Sequence, residues 1–183
     1  QELLITDRQD PYVRTHPLTR NRMTSIRAHI DKSSYSSINP SEELEERHRR
    51  VVAKLYSFLK PQNSTLRKYP ETDVSLPARY ARSVAHYRRG RLDLSVPLID
   101  GLIEERPDDP YFWELKGQML LENGRIPEAI IAYKESTRLL PFAPLILVAQ
   151  AHAMVESGDP AFVQETQDAL RVALQVDPND VFA

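Results

Sequence analysis

The chain has 183 residues, of which 41% are hydrophobic, 27% charged and 8% aromatic, a balance of folded globular chains that excludes disordered and low-complexity classes. Cysteine is absent, which rules out a disulfide framework, a cysteine nucleophile and thiolate metal sites. The net charge is -2, with 11 Lys/Arg against 8 Asp/Glu up to residue 60 and 13 against 18 beyond it, so there is no basic stripe to follow a phosphate backbone and nucleic acid is not an expected partner.

The first residues carry no charged and apolar regions of a signal peptide, and their breaker content reads as irregular or extended up to about residue 15. A chain opening on Gln1 rather than Met is expected to be a processed or excised piece. Residues 17–30 read as a short helix with Met23, Ile26 and Ile30 on one side. A polar linker follows from Lys32 to Pro40, and Ser41 then opens a helix whose first turn is acidic, favourable to the helix dipole. Its apolar residues Leu44, Val51, Val52, Leu55, Tyr56 and Leu59 form one stripe, and Pro61 ends it. Residues 62–73 read as a loop.

From Leu76 onward the chain repeats itself. Gly90, Gly124 and Gly158 are spaced by 34 residues, as are Pro107 and Pro141, and the columns Ser83, Gly117, Ala151 and Ala81, Leu115, Ala149 keep the same register. Each column has a mechanical task. The glycines suit the turn between two helices, where positive φ is needed. Small side chains in mid-helix let the partner helix approach, and the prolines close the second helix. Two helices per 34 residues resemble the tetratricopeptide repeat. The middle copy matches it best, through Trp113, Gly117, Gly124, Ala129, Tyr133 and Pro141. Its helices are expected at 111–122 and 126–139, and those of the first copy at 78–88 and 94–105. In the first copy Asp93 is the expected N-cap, with Pro97 confined to the first turn. The third copy has about three extra residues after Gly158 and a second helix over 162–176, with Val163, Leu170, Ala173 and Leu174 on one face. The expected fold is therefore all-α, a tetratricopeptide-repeat superhelix of three helix pairs (76–107, 110–141, 144–178) preceded by two helices. Val181 and Phe182, beyond the last proline, lead us to expect chain past Ala183.

Chemistry is sparse. The five histidines, His16, His29, His48, His86 and His152, form no H-E-x-x-H pair, and no phosphate loop or nucleophile elbow is present. His29, His48 and His86 read as ordinary surface or packing residues. His16 stands in Thr15-His16-Pro17-Leu18-Thr19-Arg20-Asn21-Arg22, which resembles the His-Pro-x-x-x-x-Arg motif of the HtpX-like and CAAX-prenyl-protease zinc metallopeptidases. Asp10-Pro11-Tyr12, the charged helix at 41–60 and Leu76-Pro77-Ala78-Arg79-Tyr80 look like the periplasmic branch whose protease domain is followed by tetratricopeptide repeats.

That resemblance implies that residues 1–40 are the end of a metallopeptidase domain, that 41–75 connect it, and that 76–183 hold the repeats. It implies cleft-lining roles for His16 and Arg22 in a longer parent, with His16 an imidazole able to donate to an oxyanion or add a ligand to zinc. The zinc and its H-E-x-x-H ligands would belong to the parent; the fragment itself is expected to hold no metal or other cofactor and to cleave nothing. Its partners would be its own protease domain and a protein or peptide in the repeat groove, in the periplasm. A homodimer through residues 17–30 is a further expectation, because their apolar face would lose its cover.

In tetratricopeptide stacks the first helix of each pair lines the concave side, so repeat register projects the binding positions. They are Tyr80, Val84 and Tyr87 in the first copy, Tyr111, Glu114, Gln118 and Leu121 in the second, and Leu145, Val148, His152 and Val155 in the third. Tyr80 and Val84 replace the Lys and Asn that grip a C-terminal carboxylate in chaperone-binding repeats, so a chaperone-tail receptor is disfavoured. Two functions follow: the binding, regulatory region of an envelope metallopeptidase, or a stand-alone repeat adaptor.

Overall fold

A computed structural model describes residues 19–178, and all regular structure among them is helical. The helices are α1 Thr19–Lys32, α2 Glu42–Leu59, α3 Gln62–Lys68, α4 Leu76–Tyr87, α5 Leu92–Glu105, α6 Pro110–Glu122, α7 Ile126–Leu139, α8 Pro144–Glu156 and α9 Val163–Val176. The chain divides into two units, Gln1–Glu45 and Glu46–Ala183.

In the first unit α1 carries Met23, Ile26 and Ile30 on an exposed face. The polar linker coils into turns, with the Ser33 amide donating to the Ile30 carbonyl at 3.0 Å and the Ser36 hydroxyl to the Ser33 carbonyl at 2.9 Å. Ser41 caps α2 as its sequence foretells: its hydroxyl accepts the Leu44 amide at 3.3 Å, and Glu42, Glu43 and Glu45 fill the first turn.

The second unit holds the three helix pairs, α4–α5, α6–α7 and α8–α9, with successive pairs meeting through α5 on α6 and α7 on α8. Gly90, Gly124 and Gly158 turn each hairpin at φ of 69°, 74° and 64°, the left-handed region where a side chain is penalised. The small column works as a spacer. A Cβ on Gly117 would stand 2.9 Å from the Tyr133 ring, so α6 and α7 meet there at backbone distance. Ser83 fills the equivalent place in the first pair and donates to the Ser95 carbonyl at 2.9 Å, a buried hydroxyl with its partner supplied. One core cluster joins the first pair to α6 through Tyr80, Val84, Ile99, Leu102, Phe112, Leu115 and Met119. A second, around Ile130, Tyr133, Ile146 and Met154, carries the stack into the third pair.

Several local expectations are corrected. Residues 62–68 form α3, not a loop, because Pro61 at the N-cap position starts a new helix as readily as it ends the preceding one. Helix α5 begins at Leu92, so Arg91 is its N-cap. Asp93 instead lies inside the first turn, accepting the Arg91 guanidinium at 2.8 and 2.6 Å. Pro97 therefore sits in the helix interior; Asp93 and Pro97 both face outward, where water can take the carbonyl left without its amide. The extra residues after Gly158 make a 3₁₀ turn, Pro160–Phe162. On α9 the inner face is Thr166, Ala169 and Ala173, while Val163 and Leu174 are exposed: small residues allow close approach to α8, and the larger ones turn away.

The apolar stripe of α2 faces solvent: Leu44, Val51, Val52, Leu55 and Leu59 are all exposed. The face turned to the repeats carries Glu46, Arg50, Ala53, Lys54 and Ser57, with Ala53 and Ser57 fully buried.

Candidate protein-binding groove

The concave positions are set by the first helix of each pair, and their exposure is graded along the stack. In α4, Tyr80 and Val84 are buried and Tyr87 nearly so. The expectation that these three line an open surface is corrected: they belong to the core. Burial pushes the Tyr80 hydroxyl well above the usual phenol range, and burial followed by the hydrogen bond to Glu122 does the same for Tyr87. Both rings are neutral packing groups. In α6, Tyr111 is 43% exposed, and Glu114, Gln118 and Leu121 are half-buried. In α8 the surface is open, with Leu145 74%, His152 62% and Val155 64% exposed.

Helix α2 packs on the start of α6 and the end of α4. Arg50 pairs with Asp109 and lies over the rings of Tyr111 and Phe112, at 5.6 and 5.3 Å from their centroids. One turn on, Lys54 pairs with Glu114 at 2.9 Å. Phe58 then meets Tyr87 edge-on at 6.5 Å, and Arg88 donates to the Ser57 and Lys60 carbonyls at 2.6 and 2.9 Å. Contacts advance together on α2 and α6, so the two run in the same direction. At the other end Arg106 holds Glu46 through both carboxylate oxygens, one at 2.9 Å, and that hydrogen bonding keeps the Glu46 carboxyl below its usual range. Asp109 has two duties, since it also caps α6 by accepting the Tyr111 amide at 3.1 Å.

Sequence reasoning missed Arg50, Lys54, Asp109 and Arg82. Arg82 is 5% exposed and donates to the Pro70 and Asp73 carbonyls, both at 2.7 Å, locking the loop before α4. The available signal was its charge within the otherwise small and apolar Ala81-Arg82-Ser83-Val84. For Arg50 and Lys54 the signal was a basic i, i+4 pair on the side of the helix away from its apolar stripe. Of the remaining predicted residues, His16 lies outside the described residues and Arg22 is exposed on α1. His152 lies 3.5 Å from Glu156, one turn along the same helix. Among the described residues no three His, Asp or Glu side chains come together as a ligand set, and no helix is long and apolar enough to cross a membrane.

Residues 78–144 match the family model of the tetratricopeptide repeat. That match covers α4 to the start of α8, and with the helical pairing it establishes the superhelical repeat fold, a protein-binding architecture. The chain is also similar to the cytochrome c-type biogenesis protein CycH of Rhizobium meliloti (strain 1021), at 34% identity over 74 residues. The aligned stretch is 40% of this chain and spans 19% of that relative's length. Neither match points to a zinc metallopeptidase, the resemblance drawn from His16-Pro17 and Arg22.

Proposed function

We propose that this chain is a protein-binding adaptor module that takes a peptide or helix of its partner on the open end of the concave face. Tyr111 and Gln118 of α6 and Leu145, Val148, His152 and Val155 of α8 form the site. The observation that carries this reading is the exposure of apolar Leu145 and Val155 at groove positions, in a fold whose core is already satisfied by other residues. Exposed apolar side chains among polar ones suit a peptide that supplies the missing contacts. The likeness to CycH supports an adaptor and makes proteins of cytochrome c-type biogenesis the first partners to test.

The test is a photoreactive residue placed at 145 or 155, compared with one at the 66%-exposed Ile131 of α7, followed by identification of the cross-linked proteins. The same protein captured from 145 and 155 and absent from 131 supports the reading. Equal capture at all three positions refutes it.

A second reading is favoured by His16-Pro17 and Arg22 standing ahead of the repeats. On it the module ends a periplasmic zinc metallopeptidase, docks on its own protease domain and restricts or recruits substrates there. Zinc would be held by upstream residues, since the described ones assemble no ligand set. The stretch of codons upstream decides the matter: His-Glu-x-x-His there, with chelator-sensitive cleavage by the whole product, supports this reading, and its absence removes it.

A further inference from the structure

The groove positions at the start of α6 are already occupied, and the occupant is part of the chain. Helix α2 lies against α6 and the end of α4, with Arg50 over the Tyr111 and Phe112 rings, Lys54 on Glu114 and Phe58 against Tyr87. Its mode of attachment is that of a ligand rather than of a core helix. Charged Glu46, Arg50 and Lys54 and small Ala53 and Ser57 face inward, while Val51, Leu55 and Leu59 are left in solvent at 54%, 54% and 75% exposure. A helix that contributed permanently to the core would bury that stripe. The attachment joins ion pairs to limited packing: Phe58 meets Tyr87, Arg88 donates to the Ser57 and Lys60 carbonyls, and the side-chain exposures are 17% and 14% for Arg50–Asp109 and 34% and 21% for Lys54–Glu114. Lys54–Glu114, the more exposed of the two, is the pair that salt weakens most.

We propose that α2 is a resident, displaceable ligand of the groove, and that the site beneath it takes a helix of a partner protein bearing Arg or Lys at i and i+4 beside a small residue. Asp109 and Glu114 receive the two cations, with the Tyr111 and Phe112 rings under the first. The small residue fits where Ala53 lies, fully buried. The pivot for release is Lys60–Pro61, between α2 and α3. Displacement adds the Tyr111 and Glu114 end of α6 to the groove already open on α8 and frees α2 altogether. The inference rests on the concave face being the binding surface, but its test needs no natural partner.

The probe is a fluorescent peptide with the sequence of residues 41–60, added to the full chain. The wild type binds it weakly, because its own α2 competes. The chain carrying Arg50→Glu with Lys54→Glu binds it about ten-fold more tightly, the scale expected from two weakened ion pairs. A peptide carrying the same two reversals does not bind. Unchanged affinity between wild type and variant, or binding of the reversed peptide, overturns the proposal. Hydrogen exchange on the wild type guards against a variant that merely misfolds. Amides of residues 46–57 should exchange faster than those of α4 and α6, and faster still when salt rises from about 0.1 to about 1 M and the screening length falls from about 10 to about 3 Å. Protection of α2 equal to that of α4 and α6 at both salt concentrations overturns it as well. Failure of the cross-linking from residues 145 and 155 would instead count against the open-end site and leave this result standing.

Discussion

The spacing of α6 from α7 depends on one missing methyl group, and restoring it gives the sharpest test of the repeat geometry. In Gly117→Ala the new Cβ would lie 2.9 to 3.0 Å from three atoms of the Tyr133 ring, and that ring is only 3% exposed, so it has no free space to retreat into. Overpacking of this kind costs about 1–3 kcal/mol. Alanine's better helix propensity returns up to about 1 kcal/mol. The net expectation is a loss of roughly 1–2 kcal/mol, a fall in Tm of about 2–8 °C at about 2–4 °C per kcal/mol for a chain of this size. Gly101→Ala in α5 is the control, because a Cβ there meets nothing within 4 Å; it should gain about 0.5–1 kcal/mol from propensity alone. Urea and thermal unfolding followed by circular dichroism would measure both. If Gly117→Ala is as stable as Gly101→Ala, the close approach of α6 and α7 is wrong, and with it the reading of the small-residue column.

Arg82→Met removes the donors that the Pro70 and Asp73 carbonyls share and should cost about 2–4 kcal/mol in urea unfolding, with faster amide exchange over 69–75. Arg106 depresses the Glu46 carboxyl, so its contribution is complete above the unfolded carboxylate value and is lost as pH falls through the lower folded value, from about pH 4 downward. Glu46→Gln should therefore flatten the acid limb of a stability–pH profile, and an identical acid limb in the variant would contradict the clamp. Leu145→Asp, at a 74%-exposed position, should leave stability within about 0.5 kcal/mol while cutting partner capture from residue 155 at least several-fold.

The repeat register was legible in the residues because its signals are local. Positive φ at Gly90, Gly124 and Gly158, prolines at helix boundaries and the small column each answer to the backbone within a few residues, so spacing alone placed three hairpins and the helix 126–139 to the residue. Register also projected Leu145, His152 and Val155 on the first helix of the third pair, and all three are exposed. Two local errors, the Asp93 cap and the Pro97 position, arose because Arg91 and Asp93 both suit a helix start, and the Arg91–Asp93 pair belongs to a helix that begins at Leu92.

The sequence by itself thus determined the fold and the period, since these follow from side-chain size and backbone freedom along a short stretch of chain. It could not determine what packs on the first helices of the pairs. The apolar stripe of residues 44–59 argued for burial, yet tertiary contacts some 60 residues away in the chain, Asp109 to Arg50 and Glu114 to Lys54, turn the opposite side inward. Ala53 and Ser57 are fully buried at the contact and Phe58 packs on Tyr87, while the side chains of the stripe face water. That choice, between a stripe that would gain from burial and a charged, small-residue face that fits a ready acidic groove, exists only once the repeats have assembled.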